Sequence, residues 1–471
     1  MTTMHLHLRK LALAPLAAAV LAGCSFIPTY ERPVAPVARA FPYPAATEGT
    51  PAAALDWQRF FTDERLRGLI ATALSDNRDL RVAVLNIEQA RAQYDIRRAD
   101  RYPTVGAGVN ASRAPNPING EQITSFQAGL AFTSWEIDFF GRIGSLSQAA
   151  LAQYLATEEG RKAAQIALVS SVATTWLALV ADEELLALTR QTMDTRAESH
   201  RLVKLRFDNG VSSELDLRAA ESLSETARAA FAQAQRQRAA DINALSLLVG
   251  QPLPADYQTG TTMAAVQLAD VPAGVPSDVL VARPDVRQAE QQLIAANANI
   301  GAARAAFFPR ITLTAQAGRA SSQLSGLFDG GGSWAYTLAP SLLLPIFDAG
   351  RNQAGLASAN VSRDIAVAQY ERSIQSAFRE VSDALAGRAT LTEQLDAQGK
   401  VAQAETVRVR LSQMRFDAGV SSTLDLLDAQ RSLFAAQQAE IQTRLARLQN
   451  QVLLYRALGG GWTEPPQAAA R

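Results

Sequence analysis

The sequence predicts a mainly α-helical fold with membrane β-structure, built as a duplicated unit, and three observations predict it. Leu205 to Leu217 reads LRFDNGVSSELDL and Met414 to Leu426 reads MRFDAGVSSTLDL, identical at ten of thirteen positions at a constant offset of 209. Long proline-free helical patterns lead into both stretches. Ahead of each helical pattern lies a pair of extended stretches in which apolar and polar residues alternate, the period of a strand with one buried face.

The chain opens with an export signal at residues 1–23: Arg9 and Lys10, an apolar run from Leu11 to Leu21, then Leu21-Ala22-Gly23 before Cys24. Cys24 is the sole cysteine and stands where bacterial lipoproteins carry the thiol that is acylated. The lipobox resemblance implies a covalent lipid on Cys24, and Ser25 after it implies sorting to the outer membrane. A lipid alone gives an anchor and no channel. Residues 24–62 form a Pro-rich strap, CSFIPTYERPVAPV and onward, with no core of its own.

The first repeat spans 63–250. From Asp63 to Asp100 the apolar residues Leu66, Leu69, Ile70, Leu74, Leu80, Val84 and Ile87 fall mostly three or four apart, which predicts one amphipathic helix. At Pro103 the period changes. Residues 103–140 read as a β-hairpin around the turn APNPINGE, with Phe126, Ala128, Leu130 and Phe132 alternating against Gln127, Gly129, Ala131 and Thr133. Its ends carry Trp135, Phe139 and Phe140, aromatic residues suited to a membrane interface.

Residues 141–209 then form a helix of about 69 residues, roughly 100 Å if continuous. Ala163 to Ala181 within it has no charge, but its counterpart Arg372 to Thr390 carries Arg372, Arg379, Glu380, Asp383 and Arg388. Corresponding segments of a duplicated fold share an environment, so a membrane span is rejected here. The tip at 210–213 (Gly210, Val211, Ser212, Ser213) combines a glycine suited to a left-handed C-cap with a Ser N-cap and Asp216 three residues on. A return helix over 214–249 follows.

A Pro/Gly-rich linker at 251–276 joins the second repeat, 277–458, which repeats the order of the first. It comprises a helix, a hairpin at 309–347, a long helix at 351–418, a tip at 419–422 (Gly419, Val420, Ser421, Ser422) and a return helix at 423–457. The second hairpin adds Trp334, Tyr336 and Phe347 to the interface aromatics. Residues 459–471 are a short tail. Four strands cannot close a membrane barrel and lipid does not tolerate open edges, so the strands are expected to be shared among identical chains, eight, twelve or sixteen in all.

Composition narrows function. Lys+Arg and Asp+Glu are both 45, and removing the signal leaves 43 against 45, without the strong basic excess of a nucleic-acid binder. His5 and His7 leave with the signal, so His200 is the last histidine, in a charged helical pattern. A Cys/His metal site or a Ser/His/Asp triad has almost no material, and no metal, cofactor or enzymatic activity is expected.

Taken jointly, CSFIPTYERP, ARPDVRQAE at Ala282 to Glu290, PIFDAGR at Pro345 to Arg351, both tips, LDLLDAQR at Leu424 to Arg431 and the terminal LGGGW resemble the TolC-like outer membrane factors, in their OprM-type lipoprotein branch. The resemblance covers the whole mature chain. It implies a homotrimer whose twelve-stranded β-barrel, four strands per chain, crosses the outer membrane and continues as a long periplasmic barrel of coiled-coil hairpins. It also implies the exit duct of a tripartite efflux pump, docked through the tips to a periplasmic adaptor and to an inner-membrane RND-type transporter. Leu424, Asp428 and Arg431 lie at i, i+4 and i+7, hence on one helical face. They match the family's periplasmic gate, whereas the first hairpin has Leu215, Ala219 and Ser222 there. An outlet for type I protein secretion and a lipid-anchored coiled-coil scaffold without a pore are the alternatives.

Overall fold

The computed structural model describes residues 25–43, 51–116, 118–272 and 276–462; Cys24 and its expected lipidation lie outside them. In chain order the elements are α1 (Glu64–Asp76), α2 (Arg78–Ala99), β1 (Gly106–Pro115), β2 (Gln122–Ile137), α3 (Arg142–Asp208) and α4 (Glu214–Val249). They continue with α5 (Pro276–Ala282), α6 (Pro284–Ala305), β3 (Arg310–Ser321), β4 (Ser333–Leu343), α7 (Arg351–Asp417) and α8 (Thr423–Ala457). The fold is mainly α with one antiparallel sheet in the order β1-β2-β3-β4. The chain divides into two compact units, each assembled from discontinuous pieces of both repeats.

One unit comprises the described parts of Met1–Val34, Asn86–Glu158 and Gln288–Glu371. Its sheet joins the two hairpins through β2 and β3, a pairing between residues some 190 apart in sequence, from Phe126 opposite Ser321 to Ile137 opposite Ile311. β2 carries a bulge between Phe132 and Trp135, where Thr133 and Ser134 together oppose Thr314. Ser134 takes a positive φ of 53° and its amide donates to the Thr314 hydroxyl (3.1 Å). Three residues of strict alternation would turn Trp135 to the face opposite Phe132; the bulge absorbs the extra residue and keeps both on one face.

The strap is laid along α6 in the same unit. Glu290, buried on α6, accepts from the Tyr30 hydroxyl (3.0 Å) and from Arg32 through both oxygens (2.7 and 3.0 Å). Further along, Asn297 donates to the Pro28 carbonyl (2.8 Å), and Phe26 stacks on Phe308 with centroids 4.6 Å apart. The strap therefore runs antiparallel to α6 and brings Phe26 to the start of β3. Burial and the neighbouring Glu290 carboxylate push the Tyr30 phenol well above its usual range.

The other unit comprises Ala35–Leu85 (in its described parts), Glu159–Arg287 and Arg372–Arg471. Its core draws on both repeats: Phe60, Phe61, Leu66 and Ile70; Val172, Trp176, Leu179 and Val180 of α3; Leu245 of α4; Val381 and Leu385 of α7; Val452 and Tyr455 of α8. The uncharged stretch of α3 is long and apolar enough to cross a membrane, and its large side chains Leu168, Val169, Val172, Trp176, Leu177, Leu179 and Val180 are buried in this core. Tyr455 stacks on Phe60 (3.9 Å, 7°) and donates to the Leu55 carbonyl (2.5 Å).

The single helix expected over Asp63 to Asp100 is two. Asn77 leaves the helix with ψ 129°, its Oδ1 accepts from the Leu80 amide (2.8 Å) and its Nδ2 donates to the Leu248 carbonyl (2.9 Å). A buried side chain that both caps α2 and ties it to α4 outweighs the continuous apolar pattern. The linker between the repeats is pinned by α3 and α7: Thr259 and Met263 amides donate to Glu183 and Glu184 (3.1 and 2.7 Å), and Arg388 pairs with Asp270 (2.9 Å).

Candidate gate and membrane faces

Both tips are built by the same backbone chemistry. At the first, Gly210 has φ 73°, its amide donates to Phe207 O (2.9 Å) and the Val211 amide to Arg206 O (2.9 Å). At the second, Gly419 has φ 73°, with Gly419 donating to Phe416 O and Val420 to Arg415 O, both 3.0 Å. Each is a Schellman C-cap, which an L side chain at the glycine would strain. Ser213 and Ser422 then cap α4 and α8 in reciprocal boxes with Asp216 and Asp425. The Ser422 hydroxyl and amide hold the exposed Asp425 carboxyl below its usual range.

The two reversals tie Ser213, Asp216, Ser422 and Asp425 into caps and leave apolar side chains outside. Val211 and Val420 are 64% and 65% exposed, beside exposed Gly210 and Gly419, while Ser212 and Ser421 are half-buried. Behind the tips, Val203 of α3, Leu217 and Ala220 of α4 and Leu427 of α8 form a small core, and Arg206 stacks over Phe416 at 5.0 Å. The two hairpins are thus bonded to each other close to their ends.

Beyond the second tip, Leu424 is 60% exposed and Asp428 lies one turn further along α8. Asp428 accepts from Arg431 on the same helix and from Arg408 of α7 (2.6 Å), and Arg408 also meets Glu405 (3.4 Å). Sequence reasoning did not include Arg408. The hairpin's symmetry could have found it, since 408 and 428 are equidistant from Ala418 at the reversal. At the offset of 209, Arg408 and Asp428 correspond to Ser199 and Ala219, so the first hairpin lacks both members of this pair. Glu405 corresponds to Arg196, which is buried with its guanidinium over Phe434 at 5.0 Å.

The sheet has two chemically distinct faces. The register places Val109, Ala128 and Leu130, Phe132, Trp135, Leu313, Ala315, Tyr336 and Leu338 on one face, and Asn110, Gln127, Thr312, Gln316, Thr337 and Ser341 on the other. Trp135 stands on the apolar face near the helical ends of the strands and Trp334 on the same face near the loop ends. Tyr336 lies on β4 on the same face, whereas the remaining interface aromatics are not strand residues. Phe139 and Phe140 follow β2, half-buried, with Phe140 stacked on Phe308 (5.0 Å), and Phe347 lies past β4, fully exposed. At the helical end of the polar face, Glu136 is gripped by Arg142 (2.7 Å) and Arg310 (2.9 Å). Among the described residues no cluster of three or more His, Cys, Asp or Glu is placed to hold a metal ion.

The family model described as outer membrane efflux protein matches residues 69–251 and 275–460. The toluene efflux pump outer membrane protein TtgC of Pseudomonas putida is 48% identical over 457 residues, 94% of each chain. Outer membrane protein OprJ of Pseudomonas aeruginosa is 45% identical over 464 residues, 96% of each chain. Among solved structures, the open state of the Neisseria gonorrhoeae MtrE outer membrane channel superposes with a TM-score of 0.84 at 40% identity, covering 93% of this chain and 98% of that one. A sheet with one apolar and one polar face, paired long helices with near-copied tips, and these full-length matches converge: the chain belongs to the outer membrane efflux protein family.

Proposed function

We propose that this protein is the outer-membrane exit duct of a tripartite efflux pump, passing small molecules from an inner-membrane RND-type transporter to the exterior. The observation that carries the reading is the sheet. It has an apolar and a polar face, and β1 and β4 are its edge strands, each paired on one side only among the described residues. Three copies joining β4 to the next chain's β1 close a twelve-stranded barrel with the polar face lining a lumen, and no edge remains in lipid. Energy comes from the transporter, so the duct needs no catalytic site. The covalent lipid on Cys24 adds an anchor in the outer membrane. Purified protein in planar bilayers is expected to give discrete conductance steps and to run as a heat-modifiable trimer. A heat-stable monomer without conductance overturns the reading.

The resting gate is assigned to Leu424, Asp428 and Arg431, repeated three times around the periplasmic mouth. Support comes from the exposure of Leu424 beside the Arg408–Asp428–Arg431 cluster, on the one hairpin of the two that carries it. Opening then requires the α7–α8 hairpin to move away from its symmetry mates, with adaptor contact at the tips supplying the bias. Leu424→Ala with Asp428→Ala is expected to raise single-channel conductance several-fold, and unchanged conductance removes the assignment. For the adaptor, the contact points are Gly210, Val211, Ser212 and Ser213 with Gly419, Val420, Ser421 and Ser422. Val211→Asp or Val420→Asp should abolish adaptor crosslinking in cells while the trimer persists. Normal crosslinking would leave these residues as helix caps only.

A further inference from the structure

Four charged side chains lie within the strands: Arg113, Glu136, Arg310 and Arg319. Glu136 and Arg310 neutralise each other at the helical end of the polar face. Arg113 and Arg319 differ in every respect. Their register puts them on the apolar face, Arg113 in line with Val109 and Ala111, Arg319 in line with Ala315 and Ala317. Each stands two residues from the loop end of its strand, at Pro115 and Ser321, and each is exposed. Among the described residues no carboxylate forms an ion pair with either. Trp334, opposite Arg319 on β4, is 73% exposed.

We propose that Arg113 and Arg319 form a binding site for the phosphate groups of a phosphorylated glycolipid in the outer leaflet. It rests on the channel reading above, which makes the apolar face the lipid face and the loops extracellular. An outward guanidinium is costly in hydrocarbon at mid-depth and costs little at the interface. Two such groups close to the strand ends therefore mark the headgroup level, where Trp334 also belongs. A guanidinium matches a phosphate through two parallel hydrogen bonds, and with no carboxylate among the described residues paired to either arginine the lipid supplies the anion. The helical end of the same face closes with Trp135, Ile137, Ile311 and Leu342 and has no charge, so the device serves one leaflet only. The register sets the two Cα atoms two strands and four residues apart, roughly 16 Å, a span that favours a headgroup carrying two phosphates over one carrying a single phosphate.

Native mass spectrometry of the purified full-length trimer, titrated with bis-phosphorylated lipid A, dephosphorylated lipid A and inorganic phosphate, tests this. The wild type is expected to bind bis-phosphorylated lipid A and neither of the others. Arg113→Gln with Arg319→Gln should weaken that binding at least tenfold, and Arg113→Lys with Arg319→Lys, which keeps the charge without the planar fork, should restore only part of it. Unchanged affinity in the Gln double variant overturns the site, equal binding of dephosphorylated lipid A overturns the phosphate contact, and retention of inorganic phosphate alone overturns the lipid. Conductance of the same double variant in phosphatidylcholine bilayers reads the channel separately. Wild-type steps with no lipid A binding would sink the lipid site alone, whereas absence of steps from the wild type would count against the duct.

Discussion

Asp182 is a carboxyl held far from its ordinary state. It is buried on α3 beside Asp241 of α4. Desolvation first, then the neighbouring Asp241 carboxyl, push it up to about 7. The folded state keeps a proton that the unfolded chain releases near pH 4, so stability is highest below that pH and falls as pH rises towards 7. Denaturation midpoints at pH 5 and pH 8 should show this loss in the wild type and a flatter profile in Asp182→Asn; equal slopes would remove Asp182 as the cause. Asp428 behaves differently because it is 43% exposed at the side chain. An ion pair at that exposure contributes about 0–1 kcal/mol, so Asp428→Asn should leave the unfolding midpoint nearly unchanged while raising conductance. A large loss of stability with wild-type conductance would make the cluster a structural brace. The acidic member of this cluster was legible from its spacing to Leu424 and Arg431. Arg408 was not, because its contact runs across the hairpin and its own helix gives no periodic cue to it.

At the scale of elements, local chemistry was readable and long-range pairing was not. The tips announce themselves through Gly, Ser and Asp at fixed offsets, and their hydrogen bonds are the ones those residues form. The strands announce themselves by alternation. The pairing of β2 with β3 leaves no local mark in either, and the bulge at Ser134 consists of ordinary residues whose role shows only against Thr314. The bulge absorbs that one residue, so the end of β2 keeps its facing. Deleting Ser134 restores plain alternation: Trp135 then follows Phe132 by two residues and stays opposite Leu313 on the apolar face, and Glu136 stays beside Arg142 and Arg310. The expected outcome is that the heat-modifiable trimer in the outer membrane is retained. Ser134→Gly, which accepts the positive φ without strain, should retain it as well. Loss of the trimer from the deletion would show that the assembly needs the bulge itself.

For the whole molecule, the duplication visible in the sequence suggests two similar halves, yet the halves are not the folding units. Each compact unit takes segments from both repeats. The core that buries Trp176, Val172 and Val180 of the first repeat is completed by Val381, Leu385, Val452 and Tyr455 of the second. Tyr455 also reaches back to Phe60 and the Leu55 carbonyl near the other end of the chain. Sequence periodicity reports which face of a helix is apolar and is silent on which helix covers it, so this interleaving could not be read in advance. Removing the second repeat exposes these side chains, and burial of each large apolar group contributes about 1.5–3 kcal/mol, a loss of several such groups being comparable to the net stability of a domain. Residues 25–250 expressed alone should therefore lack a protease-resistant core and show non-cooperative thermal melting by circular dichroism. Mixing them with residues 251–471 during refolding should restore resistance around Trp176. A cooperative melt and a stable proteolytic fragment from 25–250 alone would mean that the first repeat closes its own core, and that the interleaved core follows folding and does not drive it.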